Sequence, residues 1–122
     1  VAKAHGSSLL AGAPLAVVIA ADSEKSDVWI EDCSIASIIL QLAAEDMGLG
    51  SCWVQIRNRT TEAGSSSEDY IKKVCGIPSR FGVVSVVAVG YPAEKKPSHE
   101  QSELQLEKVH KNRFNRPIED ID

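Results

Sequence analysis

No apolar run in this 122-residue sequence approaches the ~20 residues that a membrane-spanning helix requires. No signal-peptide pattern precedes the first predicted strand, so no membrane partner is expected. An excess of basic charge is also lacking: 13 Lys and Arg against 17 Asp and Glu leave a net charge of −4. Electrostatics therefore does not favour nucleic acid or an anionic membrane surface as partner. Cysteine is sparse and unpatterned. Cys33, Cys52 and Cys75 are odd in number, show neither CxxC nor metal-ligand spacing, and fall inside predicted elements. They read as reduced thiols of a cytoplasmic protein.

The usual catalytic constellations are missing as well. There is no Ser–His–Asp set, no Walker loop, no zinc pattern and no pair of carboxylates with an evident cleft. His5, His99 and His110 have no Cys, Asp or Ser neighbour at a useful spacing. Asp32 and Glu45, on a predicted helix, read as solvated or interface residues rather than general acids. No side chain is assigned a catalytic role, which is what chemistry carried by a bound cofactor looks like in a sequence.

What is present is a regular alternation of elements. A length of 122 residues and 43% hydrophobic content suit one domain, 1–122, with an extended or flexible tail over 115–122. Leu15 to Ala21 is a continuous apolar run between Pro14 and the polar stretch from Asp22, and Val83 to Val89 is another. Continuous rather than alternating hydrophobicity predicts strands covered on both faces. Between them a helix is expected from about Val28 to Met47, capped by Ser26 or Asp27. A short strand from Cys52 to Ile56 follows. A second helix then starts in Ser65-Ser66-Ser67 and runs to Cys75, where Gly76 and Pro78 end it. One helical turn is expected between Glu103 and Val109. The sequence opens on Val1, and Val1–Gly6 reads as the tail of a helix that starts upstream.

On the long helix, at 100° per residue, Trp29, Cys33, Ala36, Leu40, Ala43, Ala44 and Met47 share one broad face. Ile35, Ile38 and Leu42 lie opposite, among Glu31, Ser34 and Glu45. A helix apolar on both sides needs cover on both sides. One further helix cannot supply it, so a second subunit, an additional N-terminal part, or both are expected, with a symmetric homodimer as the default.

The most telling segment is Met47-Gly48-Leu49-Gly50-Ser51-Cys52-Trp53, where the long helix ends in two glycines and passes into a strand. Gly48 suits the left-handed conformation past a helix end, and Gly50 leaves bare backbone that a flat ligand can approach. A helix stop with a tight turn is the other reading. Trp53 and Tyr91 can stack on a ring or pack as core. Lys95, Lys96, Lys111 and Arg113 are candidates for binding a phosphate, or are solvated surface charges.

The order Ala13-Pro14, strand, long helix, Gly-Leu-Gly-Ser-Cys-Trp, short helix, Gly76-Ile77-Pro78, strand, Gly90-Tyr91-Pro92 resembles the C-terminal part of the nitroreductase family from about Ala13 to Phe114. That resemblance implies an α/β (α+β) sheet covered by helices on both faces and a homodimer packed through its long helices. It also implies FMN as cofactor. Gly48, Leu49, Gly50 and Ser51 would then run beside the isoalloxazine ring, and a basic residue near the chain end would meet the phosphate. Arg113 matches that position best and Lys111 second, with Lys95 and Lys96 read as turn charges. The implied reaction is ping-pong: NAD(P)H delivers hydride, leaves, and is replaced by a small-molecule acceptor such as a nitroaromatic or quinone. Family members carry an Arg-rich N-terminal region that this sequence lacks, as a fragment or as a naturally short form. Two rival readings stand beside this one. The first is a non-catalytic dimeric remnant whose FMN affinity is too weak for turnover, or a flavin-binding protein of the same fold that has lost turnover. The second is a doubly wound nucleotide-binding domain, which has no GxGxxG after its first strand to support it.

Overall fold

The apolar run near the end of the sequence becomes the middle of a sheet. The computed structural model describes residues 8–118; the expected helix tail at Val1–Gly6, with His5, and positions 119–122 lie outside the described residues. The strands are β1 (Leu15–Asp22), β2 (Gly50–Gln55) and β3 (Phe81–Gly90), in the order β1-β3-β2. Both neighbours run antiparallel to β3, which removes the doubly wound reading, since that architecture needs parallel strands. β3 is buried from Gly82 to Val89, as a strand covered on both faces must be. β1 is only half-covered because it lies at an edge.

The helices α1 (Trp29–Asp46) and α2 (Ser67–Cys75) take opposite faces of this sheet. On the α2 side Val54, Ile56, Ile71, Val83, Val86 and Ala88 pack with Leu10 from a 3-10 turn at Ser8–Ala11. Burying Ile56 or Ile71 completely contributes about 1.5–3 kcal/mol each. On the α1 side Ala44, Val87 and Val89 pack with Ile19, Leu40 and Leu49. A β-bulge reconciles the two faces. Ile19 pairs with Ser85 but Ala20 with Val83, so Val84 is an extra residue in β3. Gly82 and Ser85 thereby both face α1 although three positions separate them. The Val84 carbonyl accepts bonds from the amides of Ile56 and Arg57, each at 3.1 Å. Beside the bulge the Val83 N–H donates to the Glu68 carboxylate of α2 at 3.0 Å, and Lys72 pairs with the same carboxylate at 3.2 Å.

The helix ends follow their chemistry. Ser66 caps α2 by accepting from the Asp69 amide, and Gly76 closes it in the left-handed conformation. α1 begins one residue later than expected and has no side-chain cap on its backbone; Ser26 instead accepts from the Val28 amide and donates to Asp32, both at 3.3 Å. The stripe of α1 on the sheet is also narrower than its periodicity suggests. Cys33, Ser37 and Ala44 are buried with Leu40 alongside, whereas Ala36, Ala43 and Met47 are exposed. Ser37 is tolerated there because its hydroxyl donates to the Cys33 carbonyl at 2.7 Å and meets the Ser85 hydroxyl at 3.0 Å.

All three cysteines are free. Burial and the nearby Asp32 charge push the Cys33 thiol above its ordinary value, so it stays protonated and covered. Thiol titration of the native protein is expected to modify Cys52 and Cys75 quickly and Cys33 only on unfolding. Three fast thiols would contradict the burial of Cys33 on the sheet-facing side of α1.

At the far end of β1 the Arg80 guanidinium donates to Asp22 at 2.8 Å and the Ser23 hydroxyl to the Arg80 carbonyl at 2.7 Å. The Arg80 bond lowers the Asp22 carboxyl below its ordinary value against an opposing effect of burial. A depressed folded-state value means that this contribution is complete above the unfolded carboxylate value, about 3.9. It is lost as the pH falls below that towards the folded value. Asp22→Asn is therefore expected to flatten the acid limb of a stability-against-pH curve and to lower stability near neutrality. An acid limb unchanged by the substitution would refute the assignment.

Candidate functional site

The start of β1, the end of α1, the start of β2 and the end of β3 meet at one end of the sheet. They border an open cleft of about 1180 Å³. Its wall includes Leu9, Pro14, Gln41, Leu42, Glu45, Tyr91 and Pro92, and its floor is the turn Gly48-Leu49-Gly50-Ser51. The turn is built by the helix end. Gly48 has φ +72° and its N–H donates to the Glu45 carbonyl at 2.9 Å, while the Leu49 amide reaches the Ala44 carbonyl at 2.8 Å. These bonds satisfy the last carbonyls of α1. The Leu49 side chain then anchors the turn by packing on Ala44, Val87 and Val89, and Gly50 and Ser51 pair with Gly90 and Val89.

The four turn residues expected from the sequence are thus brought together in one cleft. The role of Leu49 is to hold the turn, while Gly48 opens it: a Cβ added there would meet no atom within 4 Å. Trp53 is absent from the cleft wall and half-buried, its indole N–H donating to Gln55 at 2.9 Å. Tyr91 is 87% exposed and lines the cleft, which makes it the aromatic ring available to a ligand.

The basic residues divide differently from the expectation. Lys95 and Lys96 line the cleft, and Lys96 pairs with Glu94 at 3.3 Å. Lys111 and Arg113 do not line it. They sit in a turn of the tail closed by a bridge between His110 and Pro117, with the Lys111 amide donating to the Arg116 carbonyl at 2.8 Å. The signal that finds Lys95 and Lys96 is their position just after Gly90-Tyr91-Pro92, where β3 ends at the cleft. His99 is engaged with Glu103 at 3.1 Å on the surface, and the expected helical turn is two 3-10 turns, Gln101–Glu103 and Leu106–Lys108.

Chemically, the cleft offers apolar walls, bare backbone over Gly48, one exposed aromatic ring and two cations at its rim. The described residues include no cluster of His, Cys, Asp and Glu fit for a metal ion. A flat, partly apolar, anionic group such as FMN fits this set.

Comparison with known proteins bears on the family and the fold. The model of the nitroreductase family matches residues 2–91. A protein of Archaeoglobus fulgidus, provisionally named NADH dehydrogenase/NAD(P)H nitroreductase, is 31% identical over 111 residues, 87% of this chain and 61% of that protein. Among solved structures, an FMN-dependent nitroreductase of Clostridium difficile R20291 superposes with a TM-score of 0.85 at 46% identity, over 89% of this chain and 63% of its own. A structure from Bacteroides thetaiotaomicron, with the same provisional name as the archaeal protein, gives 0.77 at 28% identity, over 89% and 61%. The chain spans about three fifths of the length of these relatives. The expected sheet with helices on both faces is the one these structures share, and with a family match across 2–91 the chain belongs to the nitroreductase family.

Proposed function

We propose that this chain forms part of an FMN-dependent oxidoreductase that takes hydride from NAD(P)H and passes it to a nitroaromatic, quinone or similar acceptor in a ping-pong cycle. The observation that carries the proposal is the Gly48-Leu49-Gly50-Ser51 turn, open over Gly48, at the floor of the cleft. FMN, when bound, supplies the two-electron chemistry that no side chain here can. The chain's own part is positional. Leu49 fixes the turn in the core, Gly48 and Gly50 present backbone to the ring edge, and Leu42 and Tyr91 limit where a flat substrate can lie. Lys111 and Arg113 are the proposed phosphate donors, with Lys95 and Lys96 at the rim as the in-chain competitors for that role.

A homodimer is the proposed working form, because the outer face of α1 leaves Ile35, Ile38, Ile39 and Leu42 at least half exposed. Such a stripe marks an association surface. Free thiols and the absence, among the described residues, of a helix long and apolar enough to cross a membrane accord with the proposed cytoplasmic location.

The test is an absorbance spectrum of the purified protein before and after adding FMN, with the intact mass taken on the same sample. Flavin bands that remain after gel filtration and bleach on adding NAD(P)H are expected. Retained bands that do not bleach would favour a binding remnant, and a colourless protein indifferent to FMN would overturn the proposal for this chain.

A further inference from the structure

A carboxylate without a cation lines the cleft beside a fixed aromatic ring. Glu45 enters it from the last turn of α1, one turn after Gln41, which lines it as well. That last turn holds Glu45 and Asp46 and no basic residue. Both acids therefore stand at the negative end of the helix macrodipole, where a carboxylate is unfavourable. Among the described residues the ion pairs are Lys72–Glu68, Arg80–Asp22, Lys96–Glu94 and His99–Glu103, and none involves Glu45 or Asp46. At the rim Lys96 is matched by Glu94, which leaves Lys95 to set against Glu45, Asp46 and the carbonyl end of α1. The ring is that of Tyr91, and close packing on either side seats its backbone. A Cβ added to Gly90 would come within 2.8 Å of Pro14 Cδ, and one added to Gly50 would lie 3.5 Å from Pro92 Cα. The Tyr91 ring stays exposed on this mount and lines the cleft, so it offers a face to another flat ring.

We propose that Glu45 selects the acceptor by charge: the cleft takes neutral or cationic aromatic acceptors and turns away aromatic carboxylates. The inference rests on the oxidoreductase proposed above and narrows its acceptor to one class. Tyr91, Leu42 and Pro92 give the acceptor ring apolar contact whatever its substituent. The substituent is then read by the charge on the α1 side. An ammonium group there gains the partner that Glu45 lacks, and a carboxylate meets a like charge at the carbonyl end of a helix. Glu45 is exposed, so the discrimination is that of a solvated pair. It amounts to about fivefold in affinity, and added salt screens it. The position suits this role because the fold draws no ion pair from Glu45. Changing its charge alters the cleft and leaves the packing of α1 on the sheet, through Cys33, Ser37 and Ala44, as it is.

The test is equilibrium dialysis of the full chain, supplied with FMN and without NAD(P)H, against three probes with the same ring. They are 4-nitrobenzylamine, protonated at neutral pH, 4-nitrobenzyl alcohol and 4-nitrobenzoate. At low ionic strength the ammonium probe is expected to bind about fivefold more tightly than the carboxylate, with the alcohol between them. High salt is expected to bring the three together. Glu45→Gln should remove the preference and Glu45→Lys should reverse it, with the affinity for the alcohol unchanged. Glu62→Lys changes the net charge equally from an exposed loop that does not line the cleft, and it should leave the preference as it was. A carboxylate bound as tightly as the ammonium would overturn the inference. So would a preference that survives Glu45→Lys, one that Glu62→Lys reverses as well, or a protein that binds none of the probes. Flavin absorbance on the same samples reads the proposed function separately. Flavin retained without any charge preference removes the inference alone. A preference that follows Glu45 in a protein without flavin keeps the charge selection and removes the reduction of what is bound.

Discussion

Gly82→Ala is expected to lower stability by about 2–3 kcal/mol, the cost of overpacking a filled interior. In a domain of this size that is a drop in Tm on the order of 10 °C. The cause is local and geometric. Gly82 lies on the α1 face of β3, and the Trp29 ring lies against it so closely that a Cβ would come within 2.2 Å of Cη2 and 2.3 Å of Cζ3. No real pair of atoms sits at that distance. The indole must therefore move, and Trp29 is the first residue of α1, so moving it disturbs the start of the helix. The bulge at Val84 fixes the alternative as well, because shifting β3 to relieve the clash would displace Ser85 from Ser37. A double-mutant cycle separates this contact from a generic loss of strand quality. Trp29→Leu makes room for the methyl group, so the cost of Gly82→Ala is expected to fall to within about 1 kcal/mol in that background. Additive losses measured by urea unfolding would show that Trp29 is not the obstacle.

The same contact shows what a reader of the sequence can and cannot see. The apolar run Val83–Val89 announces a central strand, because only a strand covered on both faces tolerates such continuity. Gly48 and Gly76 mark helix ends for an equally local reason, the left-handed backbone that each adopts. The acid-bracketed outer face of α1 is visible too, since Ile35, Ile38 and Leu42 recur at helical spacing. Pairings distant in sequence leave no such trace. That β3 lies between β1 and β2, and that Val84 is a bulge, depends on contacts that no window of sequence contains. Ser37 reads as a polar residue until its hydroxyl is seen to meet Ser85, 48 positions away. The cleft follows the same rule. Its floor is one continuous segment, Gly48–Ser51, and is legible, whereas its rim cations depend on the path of the chain after Pro92. That path brings Lys95 and Lys96 to the cleft and takes Lys111 and Arg113 away from it.

Gly48→Val separates the cofactor site from the fold, and its two effects are expected to differ widely in size. Gly48 sits at φ +72°, where a side chain costs roughly 1–2 kcal/mol in an L-residue, with a β-branched one at the upper end. A Cβ at this position meets no atom within 4 Å beyond its chain neighbours, so the cost to the fold is chiefly conformational. Stability is therefore expected to fall by no more than about 2 kcal/mol. The bonds from the Gly48 and Leu49 amides to Glu45 and Ala44 and the packing of Leu49 should hold the turn in place. The open space that spares the fold is the space proposed for the flavin ring. An isopropyl group there removes close backbone approach over the floor of the cleft, and FMN affinity is expected to fall at least 100-fold, about 2.7 kcal/mol. Titration of FMN by fluorescence quenching, beside a urea melt of the same preparation, measures both quantities. A large loss of affinity with a modest loss of stability is the result that the ring position requires. Equal affinity in a folded Gly48→Val protein would place the flavin elsewhere and reduce the double-glycine turn to a helix stop.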